Sequence, residues 1–598
     1  MEVNIHTLFE LSLIDRADLQ FAASLQRIGN CDDDWVGVAM ALVSRSAAEG
    51  HVCLDLAALQ QQGRSSFDME ADLNFLAPPV DWQDRLRGCA AVGASGDYCP
   101  LILDGHRLYL HRFWTYEQEL AKAITERSQG QAPAYDVTRL KELLTKLFPE
   151  GESRQRIAAL QAATRLFSVI SGGPGTGKTY TIAKIILLLL LLDEDQKLPI
   201  HLAAPTGKAA ARLQEAVELL LSAIDPGSSK AKEKLQEART IHRLLGYMPA
   251  AAKFRYHGEH PLLTRALIVD EASMIDLSLM RHLVQAIPPS ARLILVGDKD
   301  QLASVEAGAV LGDICHGVSS SSEPKSSQEE TSLADSVPTL KSSITILDRS
   351  YRFDPQSGIG ALGKAINSGD GQMVLDLLAD DGMPNIRLRP LNEWHALTAE
   401  LAEEIANTVV PMMASRTPEK AFEHLKRFKI LTAVRKGPFG VEAMNLMVEQ
   451  ILRRRGYISS SALWYQGRPV MITRNDYHHA LFNGDVGVAF NQPLADSGQI
   501  QIAFSGSDQS IKWLAPHQLT DHQTVYAMTI HKSQGSEFDR VMIVLPAEDT
   551  PLLTRELIYT AVTRARQSIV IWAEPSLLSR AVQRPIQRAS GLRDALWP

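Results

Sequence analysis

From about Leu147 onward, apolar runs of four to six residues recur along the chain. Each ends in a turn bearing Gly, Pro or Asp and is followed by a helical pattern. Strands buried on both faces read as such unbroken runs, so the alternation predicts an α/β protein with a parallel sheet covered by helices on both sides. The strand candidates are Phe167–Ile170, Ile200–Ala203, Leu267–Val269 and Leu293–Val296, and each carries a polar motif at its C-terminal end, where open α/β sheets bind their ligands. A second such texture follows Ile344, with strand candidates Lys429–Ala433, Val541–Leu545 and Ile569–Trp572.

The pattern differs elsewhere. The first 125 residues mix helical stretches such as Leu19–Ile28 with two short apolar segments, His51–Leu56 and Tyr109–His111, and read as a mainly helical N-terminal domain. Six Ser among the nine residues Ser319–Ser327 cannot bury enough apolar surface to order themselves, which makes the tract a loop or linker. From about 462 to 522, short β-rich pieces separated by Asn-Gly, Asp-Ser-Gly and Ser-Gly turns predict a small SH3-like β-barrel inserted in the second half. The expected domains are therefore 1–125, 126–345 and 346–598, with the barrel inside the last.

Composition narrows the classes. The 61 Lys plus Arg against 69 Asp plus Glu give a net charge of −8, so any nucleic-acid contact must be local, in a groove. Five cysteines without a CxxC pair fit small buried hydrophobes of a reducing compartment better than a disulfide scaffold or a zinc site. The N-terminus lacks the basic start and apolar core of an export signal. The longest apolar run, Ile185–Leu192, is well short of the roughly 18 residues that span a bilayer. A cytoplasmic protein without membrane contact is expected.

Gly172-Gly173-Pro174-Gly175-Thr176-Gly177-Lys178-Thr179 matches the phosphate-binding pattern GxxxxGK[ST] and sits between a predicted strand and a helix. Its glycines let backbone N–H groups turn inward around phosphates. Lys178 supplies a point charge to the β/γ oxygens, and Thr179 offers a hydroxyl to Mg²⁺. About 90 residues on, Asp270 and Glu271 follow the apolar strand Leu267–Val269. One carboxylate can hold the metal ion and the next can polarise the attacking water, so the pair points to ATP hydrolysis.

These residues resemble the superfamily 1 helicases. Ala204-Pro205-Thr206-Gly207-Lys208-Ala209-Ala210 is similar to motif Ia, Val269–Met274 to motif II, Gly297–Leu302 to motif III, Arg349-Ser350-Tyr351-Arg352 to motif IV, Thr529–Phe538 to motif V and Tyr559–Ala565 to motif VI, while Thr240–Gly246 is similar to the family segment after motif Ia. Gln301 is followed by Leu302-Ala303-Ser304-Val305 rather than Ser-Ile-Tyr. This favours the RecD family, the alpha subunits of bacterial exonuclease V, over the UvrD/Rep branch.

The resemblance implies two RecA-like domains with ATP between them and single-stranded DNA across their top. By it, Gln155 binds adenine, Gln301 senses the γ-phosphate, Glu537 holds the ribose, and Arg352 and Arg564 reach from the second domain as arginine fingers. Thr206, Lys208, Thr240, His242, Thr529 and His531 would hold the DNA backbone, and a hairpin near 247–260 lies where related helicases split the duplex. The implied activity is a 5′→3′ DNA helicase working at double-strand DNA ends in a heterotrimer with RecB-like and RecC-like subunits. Any nuclease would lie in a partner, because only one acidic pair accompanies a phosphate motif.

The N-terminal domain would dock those partners and be separable, a chain starting near Ala134 keeping the whole cleft. Two alternatives stay open, a stand-alone RecD-like or relaxase-type helicase and a regulatory ATPase that does not itself unwind.

Overall fold

A computed structural model describes residues 3–62, 78–132, 135–149, 152–192, 198–224, 235–318, 338–352, 357–459, 462–476, 478–491, 500–506, 510–519 and 521–598. The Ser-rich tract 319–327 lies outside the described residues.

The N-terminal helices begin where a carboxylate can take up free backbone N–H groups. Asp15 accepts from Ala17 and Asp18 at the start of Arg16–Gly29, and Asp33 accepts from Trp35 and Val36 at the start of Asp34–Ala48. Each such cap contributes about 1 kcal/mol. These helices pack on a four-stranded sheet ordered Cys53–Asp55, Arg107–Leu110, Leu101–Asp104 and Val92–Gly93, around a core that includes Leu8, Met40, Trp82, Leu101 and Leu108.

The next helix, His111–Gln129, carries the chain onto the first large sheet. Its Phe113, Leu120 and Ile124 share one hydrophobic core with Leu267, Leu293 and Met280, and the buried Arg127 guanidinium donates to the carbonyls of Ala291, Val284, Ile287 and Pro288. The border expected at residue 125 therefore falls inside a helix that belongs to both units. Removing everything before residue 134 would strip that helix from the sheet and uncover three large apolar contacts, at about 1.5–3 kcal/mol each. The N-terminal region is not the separable module that its lack of motifs suggested.

The first large sheet has six parallel strands in the order Ile344–Leu347, Phe167–Gly172, Arg292–Gly297, Ala266–Val269, Ile200–Ala204 and Arg239–Thr240. Side chains alternate across it. Phe167, Val169, Leu267 and Val269 face the His111–Gln129 side, while Ile170, Ile268 and Ile294 face the helices Ser153–Thr164, Lys178–Leu192 and Gly207–Ile224. Two-faced burial is why these strands read as unbroken apolar runs. Strand Ile344–Leu347 pairs with Phe167–Gly172, so the domain border expected at 345/346 cuts through a strand of the first sheet.

The second large sheet has five parallel strands in the order Ile386–Arg389, Ala565–Trp572, Phe538–Val544, Phe428–Thr432 and Ala527–Thr529. Between its strands Phe428–Thr432 and Ala527–Thr529 the chain inserts an antiparallel sheet ordered Ile511–Leu514, Ile500–Ser505, Val486–Asn491, Pro469–Ile472 and His522–Thr524. A five-stranded antiparallel insert therefore stands where the small SH3-like β-barrel was expected, and among the described residues its two edge strands do not pair. Tyr247–Met248 and Lys253–Phe254 do form an antiparallel hairpin.

One further correction concerns the chain end. Leu592 and Leu596, one helical turn apart in Leu592–Leu596, bury themselves with Val52, Tyr109 and Phe113 rather than with the second sheet. The expected domain 346–598 thus gives up its last residues to the N-terminal body. No described helix is long and apolar enough to cross a membrane.

Candidate nucleotide site and nucleic-acid interface

Strand Phe167–Gly172 ends on the glycine loop, and helix Lys178–Leu192 starts from it. Gly175 and Gly177 have φ of 78° and 82°, a left-handed region that glycine enters without a steric penalty. Lys178 Nζ donates to the carbonyls of Gly172 at 2.6 Å and Gly173 at 3.0 Å, which holds the ammonium over the loop.

Asp270 and Asp298 follow the neighbouring strands Ala266–Val269 and Arg292–Gly297. Burial pushes both carboxyls up to about 6, Glu271 adding to the shift at Asp270, with the Lys178 charge working against it in each case. Glu271 itself sits at φ 53°, an uncommon conformation for a side-chain-bearing residue and one that costs about 1 kcal/mol or more. Gln301 Nε2 donates to Asp298 Oδ2 at 3.0 Å, and Gln301 Oε1 is buried with no hydrogen-bond partner among the described residues. That oxygen is an acceptor, suited to a hydrogen of the attacking water rather than to a phosphate oxygen.

The fit to a nucleotide and a divalent cation rests on this chemistry. A glycine cradle and one lysine follow strand Phe167–Gly172, and two hard oxygen donors, the Thr179 hydroxyl on the helix after the loop and the Asp270 carboxyl two strands away in the same sheet, are of the type Mg²⁺ takes. A cation here would also offset the burial and the Glu271 charge that raise the Asp270 carboxyl to about 6.

The second sheet supplies the opposite charge. Arg564, 4% exposed, donates from Nε to Thr560 O at 3.0 Å and from Nη1 to Ser536 O at 3.3 Å, and it lies in the field of Glu271, Glu537 and Asp298. Tyr559 OH donates to Asp298 Oδ2 at 3.3 Å, Leu302 N donates to Thr560 Oγ1 at 3.0 Å, and Gln534 Nε2 donates to Leu302 O at 3.1 Å. Three hydrogen bonds thus cross the cleft beside Gln301.

Arg352 has a different origin from the one expected. It follows strand Ile344–Leu347 of the first sheet, and a Cβ added to Gly175 would lie 2.3 Å from its own Cβ. It therefore starts beside the phosphate loop and reaches toward the second half, where its Nη2 pairs with Glu537 Oε1 at 2.7 Å. Glu537 also takes Arg566 Nη2 on Oε2 at 2.8 Å and lies 3.8 Å from Arg212 Nη2. Burial works to raise this carboxyl, but the charges of Arg352 and Arg212 and the Arg566 hydrogen bond prevail and hold it at about 2. The carboxylate expected on a ribose is the hub of an arginine cluster.

Gln155, 5% exposed, donates from Nε2 to Tyr351 OH at 3.3 Å, and a Cβ on Gly177 would sit 3.8 Å from the Tyr351 ring and 4.0 Å from Gln155 Nε2. The glutamine does stand beside the phosphate loop. Tyr351, Tyr559 and Arg212 were missed as site residues. Two of them lie inside motifs already recognised, but their chemistry is set by what faces them across the cleft, which local spacing does not reveal.

Of the candidate DNA contacts, Thr206, Thr240 and Thr529 each accept a backbone N–H three residues on, from Ala209 at 3.2 Å, Arg243 at 3.3 Å and Lys532 at 3.3 Å. Capping uses an oxygen lone pair and leaves the hydroxyl hydrogen to donate. Thr206 and Thr240 lie on adjacent strand ends of the first sheet, since Ala204 pairs with Thr240, and Thr529 ends an edge strand of the second. Lys208 Nζ donates to Ser536 Oγ at 2.6 Å across the cleft, and burial with the nearby Arg212 charge pushes it down to about 8. His242 instead joins an aromatic group, 5.7 Å from Tyr247 and 5.8 Å from Phe254, at the hairpin base. His531 is lowered by burial and by Arg588.

Two parallel sheets, a glycine phosphate loop with two strand-end carboxylates, and an arginine delivered from the second sheet define an ATP-dependent DNA helicase of the P-loop class. Residues 155–307 match the AAA domain family, 524–572 the UvrD-like helicase C-terminal domain, and 10–109 the N-terminal domain of RecBCD enzyme subunit RecD. The RecBCD enzyme subunit RecD of Mycolicibacterium smegmatis is 37% identical over 98% of this chain and 98% of its own, and that of Haemophilus influenzae is 31% identical over the same shares. The chain belongs to the RecD family of RecBCD enzyme subunits. The ATP-dependent RecD2 DNA helicase of Deinococcus radiodurans is 31% identical over 77% of this chain but only 54% of its own length.

Proposed function

We propose that the chain is the 5′→3′ motor of a three-subunit machine, bound to RecB-like and RecC-like partners and processing double-strand DNA ends for recombinational repair. Full-length similarity to RecD subunits, against about half the length of the RecD2 DNA helicase, favours the subunit over the autonomous reading. The observation that carries the motor reading is Arg564. It comes from the second sheet, is buried at the carboxylates of the first, and can stabilise charge in the transition state only while the two halves are together.

In this reading, the loop Gly172–Thr179 cradles the phosphates with Lys178 on the β/γ oxygens. Gln155 and Tyr351 flank the base. Glu271 and the Gln301 carbonyl orient the attacking water, and Glu271 takes its proton. Thr179 and Asp270 would hold Mg²⁺, which neutralises phosphate charge when bound. Arg352 and Glu537 clamp the cleft, so that hydrolysis and closure are one event. The freed hydroxyl hydrogens of Thr206, Thr240 and Thr529, with Lys208, grip backbone phosphates without reading bases.

Direction is tested on the assembled complex by streptavidin displacement from single-stranded DNA. Removal of biotin at the 3′ end but not at the 5′ end is expected. The reverse pattern would overturn the assigned polarity.

A further inference from the structure

The last residues of the chain link the second sheet to the N-terminal body along a path separate from the main connection near residue 350. Up to Ile586 the chain is fixed to the second unit. Helix Pro575–Gln583 buries Leu577, Leu578 and Val582 there, the Arg584 guanidinium binds both Asp549 oxygens at 3.0 Å, and Ile586 N donates to Glu556 Oε2 at 2.8 Å.

From Arg588 it is fixed to the other side. Arg588 binds the carbonyl of Glu49 and lies 3.4 Å from Ser304 O, just after motif III. Ala589 N donates to His51 Nδ1 at 3.0 Å, and Ala589 O accepts from Val52 N at 2.8 Å. Glu117, fully buried, accepts Gly591 N at 2.9 Å and Ser590 Oγ at 3.0 Å on one oxygen and Tyr109 OH at 3.0 Å on the other, while Trp597 Nε1 donates to Asp313 O at 3.1 Å. Only Gln587 stands between the two sets of anchors. A trans-linked residue adds at most about 3.8 Å between successive Cα atoms, so there is no slack to absorb a domain movement of more than a few ångströms.

We propose that residues 584–597 are a strap that couples the ATP cleft to the N-terminal body, so that opening the cleft loads the contacts at His51, Val52 and Glu117. The inference rests on the motor reading, because only a cleft that opens and closes can pull on the strap. The strap starts beside motifs III and V, where Arg588 touches Ser304 and lowers His531, so it leaves the cleft at the segments that face the γ-phosphate and the DNA. Its far end is set into the same core as strand Cys53–Asp55. Motion at the nucleotide would then be felt in the part of the molecule that carries no motor motif.

Hydrogen–deuterium exchange on the full chain tests this, with and without a non-hydrolysable ATP analogue. The amides of Val52, Ala589 and Gly591 should change their protection on the order of tenfold with nucleotide. Inserting about ten Gly and Ser residues between Gln587 and Arg588 gives slack while keeping every contact, and should abolish that dependence. A two-residue insertion should give an intermediate dependence and serves if the longer one does not fold. Unchanged protection in the wild type, or the same dependence in the insertion variant, overturns the strap. DNA-stimulated ATP turnover, measured on the same samples, separates the two levels: if turnover is present and exchange is unresponsive, the strap alone fails, and if turnover is absent, the motor reading fails and the strap with it.

Discussion

The two large sheets share a parallel architecture and a helical covering, yet they carry opposite charge into the cleft. The first ends its strands in buried acids, Asp270 and Asp298, held partly protonated by desolvation. The second brings Arg564, whose guanidinium burial disfavours, and a carboxylate, Glu537, that arginines keep ionised far below its usual range. Burial in the assembled cleft strains the charged groups on both sides, and opposite charges, or what binds between the halves, offset that cost. Similar folds thus take complementary roles through a few strand-end residues, and the tie between chemistry and motion follows from that division.

The strongest way to break the comparison is to remove the lysine that offsets the acids of the first half and is aimed at the phosphates. Lys178→Ala should abolish ATP turnover while leaving the melting temperature within a few degrees, because the hydrogen bonds of its ammonium among the described residues go to the loop carbonyls of Gly172 and Gly173. Normal DNA-stimulated turnover in that variant would refute the site. Removing the charge of the second half should be gentler. Arg564→Ala is expected to slow turnover by on the order of 10³-fold yet still bind nucleotide, as fluorescence titration with a labelled analogue would read. Loss of binding would recast Arg564 as a ground-state contact.

The strain in the first half can be measured through pH. A carboxyl raised from 3.8 to about 6 in the folded state favours folding while it stays protonated, and that contribution is lost as pH rises through about 6. Asp298→Asn keeps an acceptor for Gln301 and Tyr559 but cannot ionise. It should therefore be more stable than the wild type by about 1–3 kcal/mol at pH 7.5, with the gap closing toward pH 4. Chemical denaturation of the nucleotide-free chain at both pH values checks the sign, and a gap that widens on acidification would contradict the burial argument. The smallest effect is expected at the rim. Tyr351→Phe loses one hydrogen bond to Gln155, worth about 0.5–1.5 kcal/mol, and should weaken nucleotide binding a few-fold without changing the limiting rate.

Much of this molecule could be read without coordinates, for identifiable reasons. The strands around Val169, Ile268 and Leu295 are buried on both faces, so their unbroken apolar runs announce a parallel sheet. The phosphate loop is contiguous and its chemistry is local, so eight residues specify it. The hairpin at 247–254 was placed by resemblance, because related helicases carry one between the same motifs. The second sheet was legible for the same reason as the first, although its edge strands Ile386–Arg389 and Ala527–Thr529 are short and were not anticipated.

What tertiary structure alone decided involves partners far apart in sequence. The resemblance assigned Arg352 to the second half, whereas strand Ile344–Leu347 pairs back onto the first sheet and starts it beside Gly175. Glu537 acquires its low pKa from arginines near residues 212, 352 and 566, and no window along the chain contains that charge balance. The barrel expected at 462–522 was inferred from turn spacing, which fixes strands but not closure. The N-terminal region was taken for a separable module because it lacks motifs, yet Phe113 and Leu592 bury their side chains in the core of the first sheet. A sequence determines local propensity and which faces must be buried. It leaves to the assembled chain the choice of what buries them, because that choice depends on distances across the cleft and on where the last eleven residues come to rest.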